Sequence, residues 1–298
     1  MHSLLHTRDG PYASNTANFG GLPSNIPDTP VCAVLIGFYV SFAAINMTIL
    51  RRNTRRRHKF IMSGMLFGFC MARVTTLVVR IAWANRQHNV GLGIAANILV
   101  NAGILLVYII NLILAQRILR AKQPQVGWHR IPRMGSKAFY WLIPAALIMV
   151  ITAVVIMAYT RNPEVLSKCR DVQLAALTYI LVFTCLPLLH IFPAFLLPKN
   201  KDQETFGEGG MSTKFWIVLF STVLCMTIAG FKTGTSYSPP RPKTNPDWYH
   251  HKAAFYCFNF LLEILVLFLL TVCRIDRRFH IPNGSTRPGD YSRNGYAL

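Results

Sequence analysis

Seven apolar stretches, each long enough to cross a bilayer, are laid out so that the Lys/Arg-rich connections fall on alternate sides. A hydrocarbon core of ~30 Å needs ~20 helical residues per crossing. Val31–Leu50, Phe60–Ala82, Gly91–Gln116, Ala138–Tyr159, Val172–Leu197, Phe215–Phe231 and Ala253–Cys273 meet that need, the sixth being the shortest. Only 14% of the 298 residues are charged and 52% are hydrophobic, whereas a soluble domain is about a quarter charged. The spans use most of the chain. The expected organisation is therefore all-α, a seven-helix membrane domain over residues 30–273. A short outer segment, 1–29, precedes it and a basic cytoplasmic tail, 274–298, follows it.

The formal net charge of +20 raises the question of nucleic acid, and its distribution answers it. Connection 1 carries Arg51, Arg52, Arg55, Arg56, Arg57 and Lys59. Connection 3 carries Arg117, Arg120, Lys122, Arg130, Arg133 and Lys137; connection 5 adds Lys199 and Lys201. The tail adds Arg274, Arg277, Arg278, Arg287 and Arg293. These outnumber the cations of the N-terminal segment and even connections: Arg8, Arg86, Arg161, Lys168, Arg170, Lys232, Arg241, Lys243 and Lys252. Cations are retained on the cytoplasmic side, so the excess is a topology signal that puts the N-terminus outside. The bilayer, not nucleic acid, is the expected partner. Residues 1–29 have no apolar core, so the first span is expected to act as an uncleaved signal anchor.

Polar groups within a membrane segment are costly and tend to face inward. Asn97, Asn101, Tyr108 and Asn111 share one sector of the third span at ~100° per residue. They form either a polar seam lining a ligand or permeation pocket, or interhelical hydrogen bonds that hold the bundle together. Span 2 contributes Arg73 and Arg80, seven residues apart and so on one face. Span 7 contributes Asn259 and Glu263, spaced i,i+4. Arg73 and Glu263 both fall near mid-span, where two unpaired charges would each be costly, so an Arg73–Glu263 ion pair is expected. Arg80 is nearer the outside, with Asp171 or an anionic headgroup as candidate partner. His190, between Pro187 and Pro193 in span 5, is read as a hydrogen-bonded structural histidine in a kinked helix, with proton relay as the alternative.

Seven cysteines are scattered without zinc spacing. Cys32 and Cys169 alone fall on the oxidising side, which makes them a candidate disulfide. Asp247, His250 and His251 sit on one outer connection, and His88 on another; solvated side chains are the expected reading, with a metal site as the alternative. Gly91-Leu-Gly93 has no strand before it and is no dinucleotide fingerprint. His190 and Glu263 are too few for a seven-helix zinc hydrolase, and span 7 has no interior lysine for a retinal. No cofactor, no metal and no enzymatic activity are expected. Outer connection 6, with Pro239, Pro240, Pro242 and Pro246, could form a lid, and connection 5, with Gly207, Gly209 and Gly210, reads as flexible.

Two strings are distinctive: RIAWANRQHNVGLGIAANILVNAGILLVYIINLILAQRILRA, from Arg80 to Ala121, and YHHKAAFYCFNFLLEILVLFLLTVCRIDRRFHIPNGS, from Tyr249 to Ser285. Together they resemble an uncharacterised fungal family of seven-helix membrane proteins, often labelled as family-C-like G-protein-coupled receptors. A more distant likeness is to fungal lipid-translocating exporters, echoed by the surroundings of Arg80 and by Glu263. The best-known receptor class carries Asp-Arg-Tyr where this chain has Gln116-Arg117-Ile118, and a proline motif in span 7 that this chain lacks. The resemblance implies a receptor-like sensor of a small or amphipathic ligand, in the plasma membrane, with a cytosolic signalling partner at residues 117–137 and 198–214. The alternative it implies is a lipid or amphiphile translocator.

Overall fold

A computed structural model describes residues 10–12, 16–198 and 200–292. Arg8, Lys199 and Arg293 of the charge pattern lie outside the described residues. The helices are α1 (Asp28–Arg55), α2 (Ile61–Asn85), α3 (Val90–Ala102), α4 (Leu105–Lys122), α5 (Pro124–Gly127), α6 (Arg130–Tyr159), α7 (Pro163–Leu196), α8 (Met211–Tyr237), α9 (Lys252–Tyr256), α10 (Leu262–Val272) and α11 (Ile275–Arg278). A π-helical turn, Cys257–Leu261, joins α9 to α10. Seven stretches are long and apolar enough to cross a membrane: α1, α2, α3 with α4, most of α6, α7, α8, and Lys252–Val272. The shortest has 21 residues, about 31 Å of helix, enough for the hydrocarbon core. The chain is a multi-pass, all-helical membrane bundle.

Local signals set the helix ends. Asn89 caps α3, its Oδ1 accepting from Leu92 N at 3.2 Å. Asn162 caps α7 in the same way, with Pro163 at the first helical position. The side chains turned outward are those lipid would cover: Phe38, Val78, Ile148, Val182, Leu189, Phe220 and Phe268 are exposed. An apolar rind of this extent would mark an interface in a soluble protein; here it marks lipid contact, and polar contacts and tight packing must hold the helices to one another.

The third crossing, α3 with α4, is the most buried. It packs against α2, α6, α7 and α8, while α1 lies against α2 and α10, and α8 also against α7 and α10. Alternating crossings put residues 16–27 and the connections 86–89, 160–162 and 238–251 on one face, the N-terminal face. Connections 56–60, 123–129 and 197–210, with the tail from Cys273, lie on the opposite C-terminal face.

Two connections differ from their reading in sequence. The sixth crossing, α8, continues to Tyr237, which puts Lys232 inside a helix and not in a loop. One lysine ends an apolar window in sequence, but its flexible stem lets the ammonium reach a carbonyl while the helix goes on. The glycine-containing segment 197–210 is tied down. Glu204 is buried and accepts from Gly289 N at 2.8 Å, Tyr291 N at 2.7 Å and Ser292 N at 3.2 Å. Lys214 donates to the carbonyls of Phe206 and Gly209 at 2.5 and 3.1 Å. A Cβ on Gly207 (φ +57°) would sit 2.2 Å from the Arg278 carbonyl. That glycine serves close approach of two backbones as well as a left-handed turn.

Candidate functional site

Arg73 and Arg80 sit two turns apart on one face of α2, and each has a buried carboxylate. Arg73 meets Glu263 of α10 side-on: Nε–Oε2 is 2.5 Å and Nη2–Oε1 is 2.6 Å. Both side chains are at most 1% exposed, and the two-point geometry is the strong form of this pair. Nη1 of Arg73 donates to the Leu99 and Val100 carbonyls at 3.1 and 3.0 Å. In a continuous helix those carbonyls would serve the N–H groups of Gly103 and Ile104, but there the third crossing is interrupted by a turn. Gly103 makes the approach possible, since a Cβ there would lie 3.3 Å from the guanidinium carbon.

Three further elements close the cluster. The Tyr39 hydroxyl of α1 lies 3.2 Å from the Phe260 carbonyl and 3.4 Å from Glu263 Oε2. The rings of Phe69 and Phe260 flank the guanidinium, with centroids 5.6 and 5.7 Å from its carbon. Lys232 of α8 donates to the Val100 carbonyl at 3.1 Å. Asn259 lies in the π turn just before Glu263; its Nδ2 donates to the Phe255 carbonyl at 3.0 Å, and its buried Oδ1 has no partner. A helix interruption and a π turn thus flank one ion pair. Irregularities of this kind in membrane helices are tolerated where protein groups re-satisfy the backbone, and they recur at functional sites.

Arg80 does something else. It is 3% exposed and reaches Asp28 Oδ1 at 3.0 Å through Nη2 and 3.3 Å through Nε. It also donates to the Gly20 carbonyl at 3.0 Å and the Tyr256 hydroxyl at 3.1 Å, and packs over the Phe255 ring at 4.1 Å. Asp28 receives Tyr256 at 2.6 Å, Ser24 N at 2.9 Å, and Lys252. The expectation that Arg80 pairs with Asp171 is overturned: its Nε and Nη2 donate to groups of this chain, Asp28 is its carboxylate, and Asp171 is exposed on α7. The hub anchors a lid. Ala17 N donates to the Arg241 carbonyl at 2.8 Å, Gln87 to the Pro23 carbonyl at 2.8 Å, and Phe19 packs on Phe231 and Phe255. Residues 16–27 and connection 6 together cover the N-terminal mouth.

The candidate disulfide is also overturned: Cys32 and Cys169 are free and buried. Cys32 Sγ lies 3.3 Å from the Tyr256 hydroxyl, and α1 packs on α2 and α10 whereas α7 packs on α4, α6 and α8.

The four polar residues of the third crossing do not act as one seam. Asn101 Nδ2 donates to the Asn97 carbonyl at 3.0 Å, within its own helix. Asn111 is buried against α8, accepting from Ser221 Oγ at 2.7 Å and donating to Cys225 Sγ at 3.1 Å. Asn101 and Tyr108 line a cavity of about 20 Å³ with Lys232 and Thr233. His190 Nδ1 makes a local contact to the Leu186 carbonyl at 2.8 Å and takes no part in the cluster. Asp28, Lys232 and Lys252 are the charged groups that sequence reasoning missed, and Tyr39 and Tyr256 the uncharged ones. A charge adjacent to a predicted span was the only signal for the charged three.

Residues 209–280 match a family model described as a protein of unknown function (DUF3112). The match holds Lys232, Lys252, Tyr256, Asn259 and Glu263; Arg73, Arg80 and Asp28 lie before it. Comparison with curated proteins gave no match, and neither did comparison with solved structures.

Proposed function

We propose that this membrane protein is a receptor-like sensor without enzymatic activity, oriented with its N-terminus outside, probing small or amphipathic ligands at the plasma membrane. The observation that carries this reading is the Arg73–Glu263 pair, which joins α2 and α10 and also binds two carbonyls beside the interruption of the third crossing. A ligand that binds the open and closed forms of this contact unequally would shift the bundle between two packings. The basic connections, including residues 117–137 and 198–214, would then face a cytosolic partner. Arg117, which donates to the Phe279 carbonyl at 2.5 Å, would couple that surface to the tail. The N-out orientation rests on the excess of Lys and Arg along the C-terminal face. The resemblance to seven-helix receptor-like proteins supports the same reading.

The test is reconstitution of the folded protein in liposomes. The sensor reading expects no protein-dependent movement of fluorescent lipids or sphingoid bases between leaflets. It expects a sphingoid base or another amphiphile to change the distance between labels on connection 1 and connection 5. Glu263→Gln should alter that response more than Arg86→Ala. Leaflet-to-leaflet movement that Glu263→Gln abolishes would replace the sensor with a lipid translocator.

A further inference from the structure

Lys232 is the third charge of the central cluster. The Val100 carbonyl takes one of its three N–H groups. Among the described residues no carboxylate lies within ion-pair distance of it, Glu263 being held two-fold by Arg73. With Lys232 protonated, Arg73, Lys232 and Glu263 leave one positive charge over, at a depth where an uncompensated charge is costly.

The cavity beside Lys232 is mostly apolar, and a few donor-bearing residues stand on its wall. Tyr108 is 2% exposed and its hydroxyl has no partner. Asn101 spends one amide hydrogen on the Asn97 carbonyl and keeps the other. Thr233 donates to the Leu177 carbonyl at 3.3 Å and so adds no free donor. The remaining walls are aliphatic, including Leu147 and Ile180. The volume of about 20 Å³ is room for a single water-sized sphere.

We propose that this cavity, bounded by Lys232, Tyr108 and Asn101, is a binding site for one monovalent anion of the halide class. Charge, donor set and size agree on that class. One halide would neutralise a protonated Lys232 and would have the donors of Tyr108 and Asn101 beside it. A water fills the same space but leaves the ammonium uncompensated. The aliphatic walls offer no further donors for the several oxygens of a carboxylate or phosphate group. The site does not depend on the sensor reading, since it would hold an anion equally in a translocator.

The experiment uses the full chain purified in detergent and exchanged into sodium gluconate. Radiolabelled chloride binding is measured directly, and thermal stability is titrated with chloride at constant ionic strength. The wild type should bind one chloride per chain and gain thermal stability saturably, bromide replacing chloride. Tyr108→Phe should weaken the midpoint about tenfold, the worth of one hydrogen bond to a charged group. Lys232→Met should lose the effect. If Lys232→Met does not fold, the wild-type stoichiometry and the Tyr108→Phe shift decide. Absence of saturable chloride binding by the wild type would overturn the proposal. So would binding by folded Lys232→Met as tight as wild type, and so would formate or phosphate competing as well as bromide.

Discussion

Glu263 and Asp28 are two carboxylates at the same burial, each about 1% exposed, that have been given opposite arrangements. Glu263 serves one guanidinium in a two-point contact between rigid helices, far from either face. Asp28 sits at the first turn of α1 and is shared by Arg80, Lys252, Tyr256 and Ser24. Lys252 is 29% exposed, so the hub touches the aqueous edge while the central pair does not. Where water is out of reach, charges must be matched locally and the contact is all-or-none. Near the interface a carboxylate can be over-supplied with cations, because any one of them can turn to solvent. The first arrangement suits a contact that switches, the second a lid that is held by several ties.

Substitutions and one titration test the contrast, from largest effect to smallest. Arg73→Met should cost about 3–5 kcal/mol by stranding Glu263, and the double variant Arg73→Met/Glu263→Met should recover most of that loss. Thermal unfolding in detergent measures both; a double variant no better than the single would mean that the Leu99 and Val100 carbonyls, not the carboxylate, are the main beneficiaries of Arg73. At the hub, Asp28→Asn should cost about 2–3 kcal/mol because Arg80 loses its counter-ion, whereas Lys252→Met should cost less than about 1 kcal/mol. Equal losses would show that Asp28 is as exacting as Glu263 and would erase the distinction. Asn111→Leu removes the uncharged link to Ser221 and Cys225 and should cost about 1 kcal/mol, which sets the scale for a polar contact without charge.

The smallest effect is at the C-terminal face, outside the spans. Burial raises the Asp276 pKa, but the Arg274 and Asn53 hydrogen bonds and the Arg274 charge together outweigh it and hold the carboxyl below its usual range. A depressed carboxylate pKa contributes stability that is full above the unfolded value of about 4 and is lost as pH falls through the folded value. Stability should therefore be level from about pH 7 to pH 5 and decline on further acidification. Asp276→Asn should flatten part of that decline in a pH series of unfolding temperatures. An unchanged acid limb in the variant would assign the decline to other carboxylates.

The third crossing shows where reading from sequence stops. Asn97, Asn101, Tyr108 and Asn111 share a sector at helical spacing, but spacing cannot reveal a turn at Gly103–Ile104, and the four residues go to three different tasks. Arg73 and Glu263 are expected together from their depth, where each is too costly to leave single, and from the usual adjacency of the second and seventh spans; the structure places them in contact. Arg80 was expected to look outward for a partner. Asp28 is no candidate in the sequence, because a residue bordering a span reads as loop until the fold brings the N-terminal segment over the bundle mouth. Lys232 was read as loop because a charge ends an apolar window, although its stem reaches a carbonyl freed by the same helix interruption.

By itself the sequence determined the architecture: the number and approximate extent of the crossings, and an expectation for which charges need partners. Bilayer thickness and the cost of exposed backbone and charge act on every residue locally, so they are written in composition and period. Only the tertiary structure decided which partner each charge takes, where the third crossing breaks, and that Lys232 and Tyr108 face one small cavity. Those outcomes depend on distances between groups remote in the chain, as between Arg73 and Glu263 or Asp28 and Lys252, and no local pattern carries them.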